Sequence, residues 1–581
     1  MTGNVLVLHG DNTRDERAQR ISTTWDEWFN HKGPWMAEHN ELRRYITATS
    51  TASTANAALP WKNNTTTPKL TQIRDNLHSN YVSSLFPNDD WLRWEAYSSN
   101  SATREKKQVI ESYMSNKTRR EGFRKVVSDL LYDYIDYGNA FAMTDYVHRT
   151  KKNEDGTTTV LYSGPVLKRV HPYDIVMNPL AATFDNTPVI IRSTMSIGDL
   201  RLEAKNSVNA IEMNAAIDRA IKLRGSIGGM SKGEAKKYEG IQVDGFGSYL
   251  NYLDSGYIEM LTFMGDMWNQ DTGELETGRK IQIIDRSFVF HDGLIPDWIG
   301  RNVFHVGWRT RTDSLWGMGP LDNLVGMQYR IDHLENLKAD AMDLHVFPPI
   351  QVKGNVDEFT WGPMEEIHVD ENGSVTPMRP DSSAIQVNFE IDALMDKMEL
   401  FAGAPKEAMG FRTPGEKTAF EVQQLMTAAG RIFQHKTAHF ERVFLEPILN
   451  GMIEAARRNM DIADTVRVLN EDTGLFFFQQ ITKEDIMANG KIVPIGARHF
   501  AERAQRVQSM TQLYQLKLAD PSVAVHFSGK EFARILAEEL GEPALFGDNI
   551  LVSEQLDSER IATEAQVQFE EEQEIAIKEG L

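Results

Sequence analysis

The sequence predicts an α+β protein that is mainly helical, with a strand-rich part between helical segments. Two observations carry this prediction. Long stretches before residue 140 and after residue 320 have apolar residues at helical spacing. Between them, short runs of β-branched and aromatic residues are separated by turn signals such as Asn153-Glu-Asp-Gly156. The hydrophobic fraction of 41% and the charged fraction of 25% are those of an ordinary globular protein.

The N-terminal part is predicted to be helical. Pro68 opens an amphipathic helix that Pro87 ends, and it follows a Thr/Ala/Asn-rich linker, Thr47–Thr67. Gly138-Asn139 is a plausible C-cap for the last helix before the strands. The other helices are expected at Asp11–Asn30, Pro34–Ile46, Ala102–Asn116 and Thr118–Tyr137.

Strand patterns follow, with one helix and one insert among them. Ile197–Lys205 is predicted to be a helix, and Asn206–Gly247 a helix followed by a Gly-rich insert. The predicted strands are Ala140–Arg149, Thr157–Tyr162, Val166–Val170, Asp174–Met177, Val189–Ser196, Tyr257–Asp266 and Lys280–His291.

The C-terminal half is again mainly helical. Pro320–His345 is predicted to form one helix roughly 39 Å long, with Pro320 at its first position and a stop at Phe347-Pro348-Pro349. A small insert with strands Ile350–Val352 and Ile367–Val369 comes next. The remaining expectations are a helix at Asn388–Ala402, a long helical stretch at Lys417–Met460 interrupted at Pro447, mixed structure at 464–496, and helices over Ala497–Leu581.

Composition excludes several classes of protein. The chain has no cysteine, so it has no disulfide framework, thiolate metal site or Cys nucleophile, which fits synthesis in a reducing cytoplasm. No apolar run reaches the roughly 20 residues needed to span a bilayer, and we expect no membrane contact. The formal net charge of −21 argues against a broad basic face for nucleic acid.

Residues 403–422 contain a pattern that is close to a nucleotide-binding P-loop. Gly410 and Gly415 have the required spacing, but Glu416 is inserted before Lys417-Thr418. A carboxylate there would repel phosphate, and the preceding segment, Ile391–Ala402, has helical rather than strand periodicity. We therefore interpret this stretch as a loop between helices, and keep an NTPase as the less favoured alternative.

Other patterns give no sign of catalysis, a cofactor or a metal. His435 and His439 lie at i and i+4, but Lys436 stands where a zinc protease needs Glu. The pair Gly317-Met-Gly319 lacks the third glycine of a dinucleotide motif, since position 322 is Asp322. A turn made by the two glycines before a helix starting at Pro320 is the simpler interpretation. We predict that the protein is not an enzyme.

Three basic side chains, Lys406, Arg412 and Lys417, lie in the loop between the helices. Together they could touch phosphates without sequence specificity, and they are the candidate site residues. The acidic tail Phe569–Gly580 is interpreted as a solvated helix end, the alternative being a collar that repels DNA.

The order of these segments resembles that of a portal protein (head-to-tail connector) of short-tailed bacteriophages. No single segment carries the resemblance, which covers most of the chain apart from the 206–247 insert. It rests on five features in order: Pro68–Phe86 with Trp91-Leu-Arg-Trp94; Asp136-Tyr-Gly-Asn-Ala140 with Val170-His-Pro-Tyr-Asp-Ile175 and Asn178-Pro-Leu-Ala181; Trp316-Gly-Met-Gly-Pro320; Ala404-Pro405 and Lys417-Thr-Ala-Phe-Glu-Val422; and Ile481-Thr-Lys-Glu-Asp485 with Pro494-Ile-Gly-Ala497.

The resemblance implies a ring of about twelve subunits around a DNA channel at one capsid vertex of the virion, assembled in the host cytoplasm. Its implied partners are the terminase large subunit, a tail adaptor or head-completion protein, the major capsid or scaffolding protein, and double-stranded DNA in transit. Its implied parts are a wing at 1–319, a stem helix at 320–346, a clip at 347–384, a second stem helix at 385–403, a tunnel loop at 404–417, a long kinked helix with the rest of the wing at 418–496, and a crown at 497–581.

Two other functions stay open from the sequence. One is a capsid-interior scaffold or ejection protein, which would form no central pore. The other is the NTPase motor subunit that uses the loop at 410–418.

Overall fold

The computed structural model describes most of the chain up to residue 495, with gaps. Among the described residues 51% are helical and 30% lie in strands, which confirms the α+β prediction. No helix among them is long and apolar enough to cross a membrane. The described residues are 5–8, 14–47, 63–86, 91–97, 104–153, 155, 157–181, 183–185, 187–205, 207, 209–226, 257–270, 273–295, 302–311, 314–354, 368–369, 371–378, 387–402, 432–460, 463–469, 476–495 and 510.

Helices flank and interrupt the strands along the chain. Residues 432–440 are helical and continue through a π-helical turn, Glu441–Leu445. The labelled helices are α1 Arg14–His31, α2 Gly33–Ile46, α3 Lys69–Leu85, α4 Arg104–Arg120, α5 Phe123–Asp136, α6 Ile197–Lys205, α7 Ala210–Ser226, α8 Val325–Val346, α9 Asn388–Ala402 and α10 Glu446–Asn459. The strands are β1 Val5–Leu8, β2 Leu92–Ala96, β3 Asn139–Lys152, β4 Thr158–Val170, β5 Ile175–Met177, β6 Val189–Ser196, β7 Tyr257–Asn269, β8 Glu274–Ile284, β9 Phe288–Leu294, β10 Val303–Gly307, β11 Ile350–Lys353, β12 Ser374–Pro377, β13 Asp464–Leu469, β14 Phe476–Ile481 and β15 Gly490–Pro494.

Several predicted elements are confirmed and others are wrong. The bounds of β6, α6 and α9 are those predicted. The predicted break between α4 and α5 near residue 117 is wrong, because α4 runs to Arg120 and the chain turns at Gly122, whose φ is 65°. The strands predicted at 157–162 and 166–170 are one strand, β4. It contains Pro165 and lies at the end of the β10-β3-β4 sheet, where a missing N–H is tolerated.

One further strand prediction is wrong because of contacts distant in sequence. The strand predicted at Lys280–His291 is split into β8 and β9 by a turn at Asp285 and Arg286, both with positive φ (52° and 60°). Arg286 is held there by hydrogen bonds from its guanidinium to Glu259 and Asp26. In the predicted insert, β11 pairs with β12. The strand predicted at Ile367–Val369 lies partly outside the described residues and stays a prediction.

The described residues form two compact units, each assembled from separate parts of the chain. One unit takes residues from 1–83, 124–145 and 167–451, and the other from 84–123, 146–166 and 452–581. The predicted division into wing, stem, clip and crown stays a prediction.

The core of the first unit surrounds a six-stranded sheet ordered β5-β6-β7-β8-β9, with β1 parallel to β7. Successive side chains of β7 point to opposite faces and both faces are buried. Leu261 and Phe263 pack with Ile21 and Trp25 of α1. Residues of α6 and α7 pack in another cluster that includes Met260. Helices therefore cover both faces of the central strand.

The second unit has two small antiparallel sheets, β13-β14 and β2-β15, and both pack against α4. Trp94 of β2 lies opposite Ile492 of β15. The backbone N–H of Trp94 donates to the Glu111 carboxylate of α4 at 2.6 Å. The ammonium of Lys117, almost fully buried, forms an ion pair with Asp464 of β13, which fixes the other sheet to the same helix.

Candidate functional site

The three basic residues proposed to touch DNA, Lys406, Arg412 and Lys417, lie outside the described residues, as does nearly all of the predicted crown. The described chain ends at Ala402, the last residue of α9, and resumes at residue 432. The described framework next to this loop in sequence is formed by α8, α9 and the turns that lead into α8. This framework is the candidate site that the structure can test.

Two backbone turns meet immediately before α8. Gly138, between α5 and β3, has a φ of 63°, and a Cβ added to it would lie 2.3 Å from the backbone nitrogen of Gly319. A Cβ on Gly319 would in turn lie 2.7 Å from the carbonyl oxygen of Ile135. Such approaches leave no room for a side chain, so both positions require glycine.

The side chain of Asn139 joins the same two turns and is fully buried. Its Oδ1 accepts the N–H of Gly317 at 2.9 Å, and its Nδ2 donates to the Gly317 carbonyl at 3.0 Å. This reciprocal pair has the donor and acceptor pattern of strand pairing. An aspartate could not replace it, because an ionised carboxylate has no donor.

The prediction that Pro320 begins the helix is wrong. A 3₁₀ turn, Asp322–Leu324, precedes α8, which begins at Val325. The Asp322 carboxylate accepts the N–H of Gly319 at 2.7 Å, and burial raises the pKa of Asp322. Both glycines of Gly317-Met-Gly319 therefore have a packing role beside residues 138–139.

Two buried carboxylates anchor the end of α5, which leads into this junction. Asp133 accepts two hydrogen bonds of 2.6 Å from the guanidinium of Arg169 on β4. Asp136 accepts two of 2.7 Å from Arg74 on α3. Burial raises the pKa of Asp133 to about 7, although Arg169 opposes the shift. These bidentate pairs hold α5 against two other elements with a defined orientation.

A buried lysine and an aromatic cluster lie beside the junction. The ammonium of Lys32, between α1 and α2, donates to the carbonyls of Pro172 and Ile175, the second at 2.8 Å. It also lies 4.5 Å from the ring centroid of Trp316 and 5.2 Å from that of Trp35. Burial lowers the pKa of Lys32 well below its usual value. Because its nitrogen is occupied by backbone carbonyls, Lys32 fixes the chain around residues 172–175.

A cavity of about 160 Å³ adjoins Lys32. Two indole rings, those of Trp28 and Trp316, contribute to its wall, and His31, Asn178 and Ser314 supply its polar groups. No pair of these side chains has the nucleophile and base arrangement of a hydrolytic site in the described contacts.

The described residues contain no group of three metal-ligating side chains placed to hold an ion. His435 and His439 both lie on the helix at 432–440. Burial, together with the neighbouring Lys436 and His435, lowers the pKa of His439.

Helix α9 has apolar residues on two opposite sides. Ile391, Met398 and Ala402 are buried. Phe389 and Leu400, eleven residues or about three turns apart, share another face and are 88% and 64% exposed. This face also carries the exposed charged residues Asp392 and Asp396, so Phe389 and Leu400 are exposed apolar side chains on a mixed surface.

Other exposed apolar side chains lie at the C-terminal end of α8 and on the ribbon that follows it in the chain. Met342 and Val346 of α8 are exposed one turn apart, and Phe347 follows them. The ribbon of β11 and β12 has two strands of four residues, and Val352 on it and Met378 just after it are also exposed. An isolated two-stranded ribbon is marginally stable in water.

Segments that carried the sequence resemblance meet in space. In the first unit Gly138-Asn139 contacts Gly317-Met-Gly319, and in the second Trp94 pairs with the strand that ends at Pro494. The chain matches no protein-family model, and no curated protein matches its sequence.

Sequence reasoning did not identify Lys32 or the pairing role of Asn139. A lysine directly before Gly33-Pro34 at a helix junction has no pattern that distinguishes it from a solvated lysine. The run Tyr-Gly-Asn was interpreted as a helix cap, and it does follow α5. Its second role depends on a backbone 178 residues away in the chain.

Substituting Gly138 tests the junction. We expect Gly138→Ala to lower the free energy of unfolding by more than about 3 kcal/mol, because the new Cβ would collide with backbone that cannot move independently. Gly273→Ala is the matched control, since Gly273 also has positive φ (67°) but nothing within 4 Å. Its cost should be about 1 kcal/mol. Equal losses in urea unfolding followed by tryptophan fluorescence would contradict the proposed contact.

Substituting Arg169, the partner of Asp133, tests whether its guanidinium compensates the burial of the Asp133 carboxylate. Without the guanidinium, Arg169→Gln should raise the pKa of Asp133 further. The carboxyl can then stay protonated at pH 5, but at pH 8 it is either an unpaired buried charge or holds its proton at a cost. We expect a loss of about 1–2 kcal/mol at pH 5 and about 3–5 kcal/mol at pH 8.

The control for this experiment is Arg201→Gln, which removes an exposed pair with Asp218. That variant should change stability little at either pH. A loss for Arg169→Gln that does not grow with pH would show that Asp133 is not a buried titrating group.

Proposed function

We propose that this protein is a non-enzymatic structural subunit of a ring-shaped portal at one vertex of a phage capsid. In this proposal the ring forms the channel through which viral DNA is packaged and later ejected. The observation that carries the proposal is the exposure of large apolar side chains on α9, Phe389 and Leu400, and on the ribbon of β11 and β12. Subunit contacts in a ring would cover these surfaces.

The arrangement of α8 and α9 supports this assignment. The two helices pack together, and Arg330 of α8 forms an exposed ion pair of 3.4 Å with Glu390 of α9. They correspond to the two segments that the resemblance assigns to the stem. In the proposal, Phe389 and Leu400 contact a neighbouring copy, and the ribbon of β11 and β12 belongs to the clip.

The net charge of the chain favours a channel through which DNA passes over a protein that binds DNA tightly. The net charge of −21 would repel phosphate over most of the surface, so DNA could move without being held. Lys406, Arg412 and Lys417 would give weak, sequence-independent phosphate contacts from a loop between α9 and the next helix. The proposed partners are about eleven further copies, the terminase large subunit, a tail adaptor, and the capsid or scaffolding protein.

The proposed subunit contact can be tested with Phe389→Ser combined with Leu400→Ser. We expect the assembled species to shift towards the 65.9 kDa monomer, since two exposed apolar side chains are lost at every contact of the ring. Sedimentation velocity or mass photometry measures this shift. The matched control is Leu202→Ser on α6 combined with Ile211→Ser on α7. It also removes two exposed apolar side chains, and Ile211 is 87% exposed. Equal effects of the two variants, or a wild type that stays monomeric when concentrated, would contradict the proposal.

The DNA-contact residues need a separate test. Replacing Lys406, Arg412 and Lys417 together with alanine should reduce DNA packaging or retention, while ring assembly stays intact, because only phosphate contacts are lost. Packaged DNA per particle and the size of the ring measure the two effects. The control removes three basic side chains elsewhere, Arg201, Lys205 and Lys222, and should leave packaging unchanged. A loop variant that fails to form rings would show a structural role instead.

A further inference from the structure

A row of four polar side chains occupies one face of α8, each four residues after the last. All four are buried, although amides and carboxylates on a helix usually face solvent. They are Gln328, Asp332, Asn336 and Asp340, called here the polar ladder.

The ladder binds the backbone of residues 63–67, called here the strap. The strap N–H groups donate to ladder side chains in antiparallel order: Asn63 to Asp340 Oδ1 at 2.9 Å, Thr65 to Asn336 Oδ1 at 2.7 Å, and Thr67 to Asp332 Oδ1 at 2.9 Å.

The spacing of the ladder side chains along the helix matches the spacing of the N–H groups along the strap. Four helical residues rise about 6.0 Å, and two residues of extended chain cover about 6.4–6.8 Å. Every second N–H of the strap can therefore reach every fourth side chain of the helix. These contacts recognise mainly the backbone, and the side chain of Asn63 also donates to Asp340 Oδ1 at 2.9 Å.

Gln328 joins the strap to the start of α3. Its Nε2 donates to the Thr67 carbonyl at 2.6 Å and to Asp332 Oδ1 at 2.9 Å, while its Oε1 accepts the N–H of Leu70 at 3.2 Å. Release of the strap would free the connection between α2 and α3 as far as the start of α3. The sheet core would stay intact.

The second carboxylate oxygens of the ladder are not satisfied. Oδ2 of Asp332 and Oδ2 of Asp340 are both buried and have no hydrogen-bond partner among the described residues. A buried ionised carboxylate with an unpaired oxygen is costly. Protonation of the carboxylate removes that cost while the strap stays bound. Detachment of the strap also removes it, because water can then reach the carboxylate.

We propose that the polar ladder is a proton-dependent clasp, which holds the strap more tightly when Asp332 is protonated and loosens as Asp332 ionises. This device does not depend on the portal assignment. It acts within one subunit and would exist in a monomer.

The titration of Asp332 sets the pH range. Burial raises its pKa to about 6, against the hydrogen bonds from Thr67 and Gln328, and the nearby Glu335 carboxylate adds to the increase. Beside the clasp, Lys69 of α3 is paired with Glu399 of α9, and Asp343 accepts a bond from Asn63.

The sign follows from linkage. If water returns the pKa of Asp332 towards 3.8 in the open state, the closed state binds more protons between the two values. Closure should then become about tenfold more favourable between pH 7 and pH 5.

Hydrogen exchange of the full-length protein measures closure directly. After correction for the intrinsic pH dependence of exchange, the strap amides of Thr65 and Thr67 should gain about tenfold protection from pH 7 to pH 5. Peptides from β7 should stay far more protected than the strap at both pH values, which shows that the strap opens without global unfolding. Wild-type strap protection that does not change over this range would overturn the proposal.

Two variants complete the test. In Asp332→Asn the acceptor Oδ1 is kept and the titration is removed, so strap protection should become independent of pH. Asp343→Asn, which changes an exposed carboxylate at the end of the strap, should keep the wild-type rise. If Asp332→Asn keeps the rise as well, another group controls the strap and the proposal fails. If the variant does not fold, the wild-type series alone decides.

Discussion

The position of α8 depends on the close approach of two backbone turns. Gly138 and Gly319 pass so near each other that neither tolerates a Cβ, and Asn139 bonds Gly317 as a strand neighbour would. A contact of this kind has no adjustable side chain, so it defines one distance and one orientation. This junction connects α8 to the sheet core. The ribbon and α9 follow α8 in the chain and are connected to the core through it.

Polar groups inside the first unit further restrict the relative orientation of its elements. Apolar packing alone tolerates shifts of one element against another, whereas a bidentate pair such as Asp133 with Arg169 is satisfied in one geometry. The polar ladder applies the same rule to a segment without regular secondary structure. Burying carboxylates raises the pKa values of Asp133 and Asp332, so orientation is gained at some cost in stability near neutral pH.

Sequence patterns predicted the elements whose signal is local. The bounds of β6, α6 and α9 follow from their own periodicity and neighbouring turns. The interruption predicted at Pro447 is misplaced, because α10 contains Pro447 and the irregularity is a π turn just before it, Glu441–Leu445. Failures occurred where distant contacts decide. Residues 63–67 were predicted as a linker because their composition is polar, yet their N–H groups bind side chains more than 260 residues away. Asp285 and Arg286 adopt positive φ because Glu259 and Asp26 hold the arginine.

The helix pair α8–α9 combines two features that a free-standing protein has little reason to combine. Its inner side is held by specific polar bonds and buried ion pairs, which fix its orientation. Its outer side exposes Phe389 and Leu400 in an acidic chain whose surface is otherwise well supplied with charge. Rigid support beneath an apolar surface is what a repeated subunit contact requires, because each copy must present the same surface to its neighbour.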